Sequence, residues 1–226
     1  MSINRVDRID DKVRIRHVLM SVSDKRGLDR LAPELLSLNP DVRIFSTGGT
    51  FAHLEKLLGG SGRPVLTQVS EYTGQPETQG GLVKTLDFKI YLGLLTETYN
   101  EAHQADLKRT RSVPIDMVVV NLYPFRETVA KAGVTGEQAR GNIDIGGPCM
   151  IRASAKNFIR VASVVDPEDY PAILSELKAN GGSTSLALRF RLAQKAFAHT
   201  AEYDRAIADY LSGLSPADVS GCYRQH

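Results

Sequence analysis

Lysines, one carboxylate and paired glycines recur just beyond short apolar runs in this chain. Ser21-Val22-Ser23-Asp24-Lys25 and Ser46-Thr47-Gly48-Gly49-Thr50 each stand between an apolar run and a helical pattern. A helix N-terminus offers free N–H groups and a positive dipole end, which suits a phosphate. Glycine lets the backbone approach an anion, and hydroxyls and a lysine add donors. Ser23, Lys25, Thr47, Gly48, Gly49 and Thr50 are therefore candidate phosphate ligands. An ordinary helix cap and turn would use the same residue types.

Four further segments carry reactive groups. Val83-Lys84-Thr85-Leu86 holds a lysine among apolar residues, either a surface charge or a partly desolvated catalytic group. Asn121-Leu122-Tyr123-Pro124-Phe125 puts a tyrosine just past a strong strand signal, where it can simply cap the core with its hydroxyl in water. Ile143-Asp144-Ile145-Gly146-Gly147-Pro148 sets a carboxylate between two isoleucines. Such a group needs partners, and the Gly-Gly backbone can supply N–H donors. Ala153-Ser154-Ala155-Lys156-Asn157 adds a second lysine in what reads as a helical turn.

The elements that must position these groups alternate between strand and helix. His17–Val22 is a short apolar run of strand length. Leu28, Leu31, Ala32, Leu35 and Leu36 trace one helical face, closed by Pro40. Val42–Phe45 predicts a strand, Phe51–Leu58 a helix ending at Gly59 and Gly60, and Val65–Val69 another strand. Asp116–Asn121 is β-branched and apolar on both faces, as a central parallel strand requires, and Val161–Val165 is similar. Residues 70–86 read as a long ordered loop, a kind that is usually functional. Ala172, Leu174 and Leu177 predict one helix, closed by Gly181 and Gly182. Leu188, Leu192, Ala196, His199 and Tyr203 form the stripe of a last helix ending near Leu211. Repeated strand–turn–helix units predict an α/β fold with a mainly parallel sheet, whose ligands bind at the carboxyl ends of the strands. The expected organisation is a flexible lead-in over 1–15, one domain over 16–212 with a helical C-terminal part, and a frayed tail over 213–226.

Composition removes several function classes. At 226 residues the chain can build a full core without a metal or disulfide staple. The net charge of +2 argues against a basic arm for bulk nucleic-acid binding. Two cysteines, Cys149 and Cys222, give no disulfide framework, and the five histidines show no metal-ligand spacing. The start lacks the apolar core of a secretory signal, and no run approaches the roughly 18 apolar residues of a membrane span. The expectation is a soluble, cytoplasmic protein that uses no metal.

Taken in order, these segments resemble the inosine monophosphate cyclohydrolase domain of the bifunctional purine-biosynthesis enzyme. The resemblance runs over roughly residues 16–212. Its motifs here include Ser21–Lys25 with Gly27-Leu28, Ser46–Thr50, Val69-Ser70 with Thr73-Gly74 and Pro76-Glu77, Val83–Leu86, Asn121–Phe125, Ile143–Pro148, Ala155-Lys156-Asn157, and Ala196–Ala201 with Tyr203-Asp204. It implies a methylglyoxal-synthase-like fold of α/β/α layers, a homodimer and a purine ribonucleotide substrate with no cofactor. The implied reaction closes the ring of 5-formamidoimidazole-4-carboxamide ribonucleotide with loss of water. Lys84 is then the acid and electrostatic group, and backbone N–H groups near Asp144–Gly146 serve the oxyanion. Asp144 positions or deprotonates the amide, with Tyr123 and Lys156 hydrogen-bonding around the carboxamide. Thr85, Asn121, Ile145 and Gly146 join the phosphate ligands in holding substrate. A separate formyltransferase would supply that substrate, formyl transfer being absent here.

Three departures from the family pattern cluster around the lysine loop. Leu82 stands where the family carries a substrate-holding arginine, Asp87-Phe88 where it carries His-Pro, and Tyr91-Leu92-Gly93 where it carries His-Gly-Gly. Lys89 is the nearest cation that could replace the arginine, against its reading as a solvated surface charge. The departures suit an alternative, a non-catalytic phosphoribonucleotide sensor on the same scaffold. A methylglyoxal-synthase-type lyase would share the fold but leaves Asn121–Phe125 and Ile143–Pro148 unexplained.

Overall fold

Strand pairing sets the frame that the helices cover. A computed structural model of the chain describes residues 5–62, 65–76, 78 and 83–224. In chain order it runs β1 (Lys12–Arg14), β2 (His17–Val22), α1 (Leu28–Leu38), β3 (Arg43–Ser46), α2 (Gly48–Gly62), β4 (Leu66–Gln68), α3 (Val69–Thr73), α4 (Phe88–Leu95) and α5 (Glu101–Thr110). It continues β5 (Met117–Asn121), α6 (Phe125–Val129), α7 (Gly136–Gly141), α8 (Gly146–Lys156), β6 (Ala162–Val164), α9 (Tyr170–Ala179), β7 (Ser183–Ser185), α10 (Leu186–Ser212) and α11 (Pro216–Ser220).

The main sheet has the order β4-β3-β2-β5-β6, and every pair in it is parallel. The chain builds outward from β2 to one side through β3 and β4, then returns to place β5 and β6 on the other. The order therefore reverses between β2 and β5, where Val22 lies opposite Asn121. Open parallel sheets bind ligands outside the carboxyl ends at such a reversal.

Both faces of the sheet are covered, which accounts for strands that are apolar throughout. Val18, Met20, Met117 and Val119 face a core shared with Leu28, Leu31, Leu35, Leu54, Ile173 and Leu177 from α1, α2 and α9. Leu19, Val118 and Val120 face a second core with Ile90, Leu94, Met150, Ile151, Ala196 and Tyr203 from α4, α8 and α10. These two helical layers on one sheet are the expected α/β/α arrangement. The regular part of α2 stops at Gly59, which is left-handed at φ 56°, close to the expected end.

The two ends of the chain are more ordered than the sequence suggests. Lys12–Arg14, inside the expected lead-in, forms β1 and pairs antiparallel with β7. The buried Arg189 guanidinium explains this order. It donates to the carbonyls of Asp10, Asp11, Phe158, Ile159 and Thr184, so the approach to β1 is tied to the body. Within the expected tail, α11 packs beside α7, and the Tyr223 hydroxyl bonds the Glu137 carboxylate. Residues 1–4 and 225–226 lie outside the described residues. α3 takes up the first residues of the loop expected over 70–86, and the described residues from Gly74 to Asp87 form neither helix nor strand before α4 begins at residue 88. Among the described residues, no helix is long and apolar enough to cross a membrane.

Candidate functional site

At the β2–β5 reversal lies a cleft of about 400 Å³, within the usual range for small-ligand sites. Four segments line it: the loop after β2, the start of α2, the stretch 83–86 and the start of α8, with Asn121 and Tyr123 between them. Thirteen of the fourteen candidate residues stand around this cleft. The exception is Lys156, the exposed last residue of the eleven-residue α8. At 1.5 Å per residue it stands roughly 15 Å along the axis from Gly146, so the chain does not bring it to its own cleft.

The start of α2 forms one end. The N–H groups of Thr50 and Phe51 turn back onto the Thr47 carbonyl. Those of Gly48 and Gly49 precede them in the first turn, where a helix has no internal partner to offer. Gly48 is left-handed at φ 46°, and a Cβ built on it would stand 3.2 Å from Lys84 Nζ. The lysine ammonium is thus beside this backbone. A Cβ on Gly49 would meet nothing within 4 Å. The Thr47 hydroxyl bonds that of Ser21 at 3.0 Å. Lys25 Nζ reaches the Ser23 carbonyl at 3.4 Å, a weak restraint that leaves the ammonium usable.

Two expected ligands are occupied structurally. The buried Thr50 hydroxyl accepts from Val22 N and donates to Val22 O, both at 3.0 Å, stapling α2 to β2. Asn121 Oδ1 accepts from Ser23 N at 2.7 Å and Asp24 N at 2.9 Å, while its Nδ2 donates to Asp24 O at 2.9 Å. Asn121 therefore shapes the loop after β2, and it removes two N–H groups that could otherwise have met an anion.

The start of α8 forms the other end. Asp144 Oδ1 accepts from Gly147 N at 2.8 Å. Burial pushes the Asp144 carboxyl above its ordinary range, against the N–H groups of Gly147 and Tyr123, which pull it down. The Asp144 N–H donates to the Tyr203 hydroxyl at 2.8 Å. Two N–H groups of this segment are thus spent, and those of Ile145 and Gly146 remain for an oxyanion. A Cβ on Gly146 would sit 2.7 Å from Thr85 Oγ1, so residues 84 and 85 span from the α2 start to the α8 start. Tyr123 and Ile145 are more than half exposed at the mouth.

A larger hollow of about 690 Å³ lies on the other side of the Ser23–Asp24 turn. Its lysine and arginine are paired to carboxylates: Lys195 bridges Asp166 and Asp169 at 2.7 Å each, and Arg26 holds Asp24 at 2.7 Å, while Glu127 and Glu202 add further negative charge to the lining. The smaller cleft, with two lysines not paired to carboxylates and unspent N–H groups, is the better anion site. Among the described residues no three His, Cys, Asp or Glu side chains are grouped to hold a metal.

The sequence did not single out Ser21, Ile143 or Met150 as lining residues, or Tyr203 as a support. Ser21 and Ile143 fall within the motifs and Tyr203 within the helical stripe, while Met150 leaves no signal. Leu82 and Glu77, with Gly80 and Gly81, lie outside the described residues. Lys89, the possible substitute for the arginine, donates to the Tyr72 carbonyl at 3.0 Å and stacks 5.6 Å over its ring. It does not line the cleft.

Comparison with known proteins adds the following. Residues 27–149 match the model of the MGS-like domain, and residues 154–225 that of the AICARFT/IMPCHase bienzyme. The bifunctional purine biosynthesis protein PurH of Neisseria gonorrhoeae (strain ATCC 700825 / FA 1090) is 49% identical over 207 residues, 92% of this chain. That of Synechococcus sp. (strain CC9605) is 48% identical over 204 residues, 90% of this chain. The chain spans 38% of the length of each. The crystal structure of ForH aligns with a TM-score of 0.77 at 30% identity, over 91% of this chain and 98% of that one.

Proposed function

The chain belongs to the MGS-like domain family, and on that premise we propose that its cleft is an inosine monophosphate cyclohydrolase site. One observation carries the reading. A helix start with unspent N–H groups and a half-buried carboxylate beside free N–H groups face each other across one cleft, bridged by Lys84-Thr85. The PurH relatives are purine biosynthesis proteins, which supports the same substrate class.

In this reading the 5′-phosphate rests on the Gly48 and Gly49 N–H groups, with Thr47, Ser23 and Lys25 around it. The base extends toward Asp144. The carboxamide nitrogen attacks the formyl carbon, and a C–N bond forms as the formyl C=O opens. One proton leaves the carboxamide nitrogen and one the formamido nitrogen, and both end in the departing water. Nothing is oxidised or reduced. Asp144 takes the carboxamide proton during attack, since full prior ionisation of an amide is too costly. The Ile145 and Gly146 N–H groups stabilise the oxygen as it gains charge. Lys84 protonates it on departure, which requires its flexible chain to swing from Gly48 toward the base. Holding nucleophile and electrophile of one molecule in contact supplies much of the rest. Tyr123 and Thr85 hydrogen-bond around the carboxamide, and Lys156 has no part in its own protomer's cleft.

The reading extends to a homodimer in the cytoplasm. The formyl group enters already on the substrate, so a formyl-transfer reaction must act before this site. A continuous ultraviolet assay of inosine monophosphate formation from the formylated ribonucleotide tests the proposal. Turnover well above the buffer rate is expected, and a rate equal to buffer would refute it.

A further inference from the structure

We infer that Tyr203 is a positioning residue for ring closure, holding Asp144 and the Tyr123 turn in one arrangement from the far side of the site. The inference rests on the cyclohydrolase reading of the cleft. Tyr203 lies in α10, its ring buried in the second core and set edge-on to Phe125 at 6.2 Å. Phe125 ends the same turn that carries Tyr123. The phenol oxygen accepts the Asp144 N–H at 2.8 Å, and its proton points to the Asn142 carbonyl at 3.5 Å.

A phenylalanine would fill this space equally well. A hydroxyl in so buried a residue costs desolvation unless it is bonded, so its worth lies in those bonds. They fix the backbone on both sides of Ile143. Burial also pushes the Tyr203 phenol up, so it stays neutral and keeps both its proton and its accepting lone pair. The Asp144 carboxylate is held in turn by the N–H groups of Gly147 and Tyr123. Tyr203 therefore acts on the carboxylate in two ways, directly through the Asp144 backbone and, through Phe125, on the turn that carries the Tyr123 N–H. It lines neither the cleft nor the substrate path, so its effect is on geometry rather than on affinity.

The test is Tyr203→Phe, which keeps the ring packing. Turnover is expected to fall about tenfold, the scale of one lost buried hydrogen bond, with KM and inosine monophosphate affinity within about twofold. Amide exchange over residues 142–147 should quicken while the melting temperature falls by only a few degrees, the cost of one stranded N–H. Unchanged turnover, or turnover and affinity falling together with the folded fraction, would overturn the inference. If the unsubstituted chain fails to form inosine monophosphate, the cyclohydrolase reading falls by itself. The exchange comparison then still decides: faster exchange at 142–147 in the variant upholds the hold on the loop, and equal exchange refutes it.

Discussion

Gly147→Ala isolates the placement of Asp144 with a single methyl group. A Cβ at residue 147 would stand 2.6 Å from Asp144 Oδ2, 2.6 Å from Leu122 Cδ2 and 3.0 Å from Asp144 Cγ. Ordinary carbon contacts begin near 3.5 Å, so about 1 Å of movement is needed. Leu122 is 8% exposed and packed into the core, so the carboxylate is the side that yields. Gly147 is not among the residues with positive φ, so the change adds no backbone strain and acts by bulk alone. Overpacking of this kind costs about 1–3 kcal/mol of stability, which a melting curve will show. A displacement of about 1 Å at a reacting group costs on the order of 10²-fold in rate. Turnover should therefore drop about a hundredfold in the ultraviolet assay, with inosine monophosphate still binding by calorimetry. Gly141→Ala is the control for a small side chain in the same cleft, because its methyl would meet no atom within 4 Å. Turnover within threefold of the unsubstituted protein, beside the expected loss of stability, would refute a role for Asp144 placement.

Other substitutions probe separate links. Gly49→Val should weaken inosine monophosphate binding in calorimetry while circular dichroism stays unchanged, because the bulk enters open space at the phosphate end. Asp144→Asn should lower turnover by roughly 10²-fold. Burial raises the Asp144 pKa, so in the unsubstituted protein the base is lost as pH falls through a value above the ordinary carboxylate range; that acid limb should vanish in the variant's pH–rate profile. Leu82→Arg should lower KM equally with and without Lys89→Ala, since Lys89 is committed to Tyr72; a gain seen only in the double variant would make Lys89 the substitute. Asp116→Ala should cost about 3–5 kcal/mol in denaturant unfolding, because it strands the buried Arg160 guanidinium, now 3.1 Å from Asp116.

Local pattern carried the sheet and failed where pairing is distant. His17–Val22 matches β2 residue for residue, and Val118 and Val120 do face a different core from Met117 and Val119. The α1 face and the α10 stripe were equally plain, because burial on one side writes itself at helical spacing. β1 and β7 pair across some of the longest separations in the chain, through Lys12-Val13-Arg14 and Ser183-Thr184-Ser185. Lys12-Val13-Arg14 alternates but is too short to stand out, and Ser183-Thr184-Ser185 has no apolar residue. Phe88–Leu95 is short and apolar nearly throughout, so its period could not separate helix from strand. For the site, residue types told which groups could bind but not which were already bound. Asn121 and Thr50 look like ligands in sequence, and the structure adds that their side chains brace the loop after β2. Lys156 came from the family motif, and only the length of α8 reveals its distance.

The departures around the lysine loop concern the wall of the site more than its contents. Asp87 caps α4 by accepting Lys89 N at 2.8 Å, and its other oxygen accepts Gln75 Nε2 at 2.7 Å. A histidine there would lose the carboxylate's second acceptor. Gly93 lies where a Cβ would be 2.5 Å from the Val113 carbonyl, and its own carbonyl accepts from Ile115 N and Arg160. The glycine of the family's His-Gly-Gly thus keeps its place for a steric reason. Tyr91 is half-buried behind α8, away from the cleft lining, and burial pushes its phenol up. These residues adjust how α4 leaves the loop and packs, so their effect should appear in stability. Lys25 and Lys84 are the cations among the cleft-lining residues, and both are present. The departure that bears on substrate affinity is therefore Leu82, and affinity rather than turnover is where its consequence should be read.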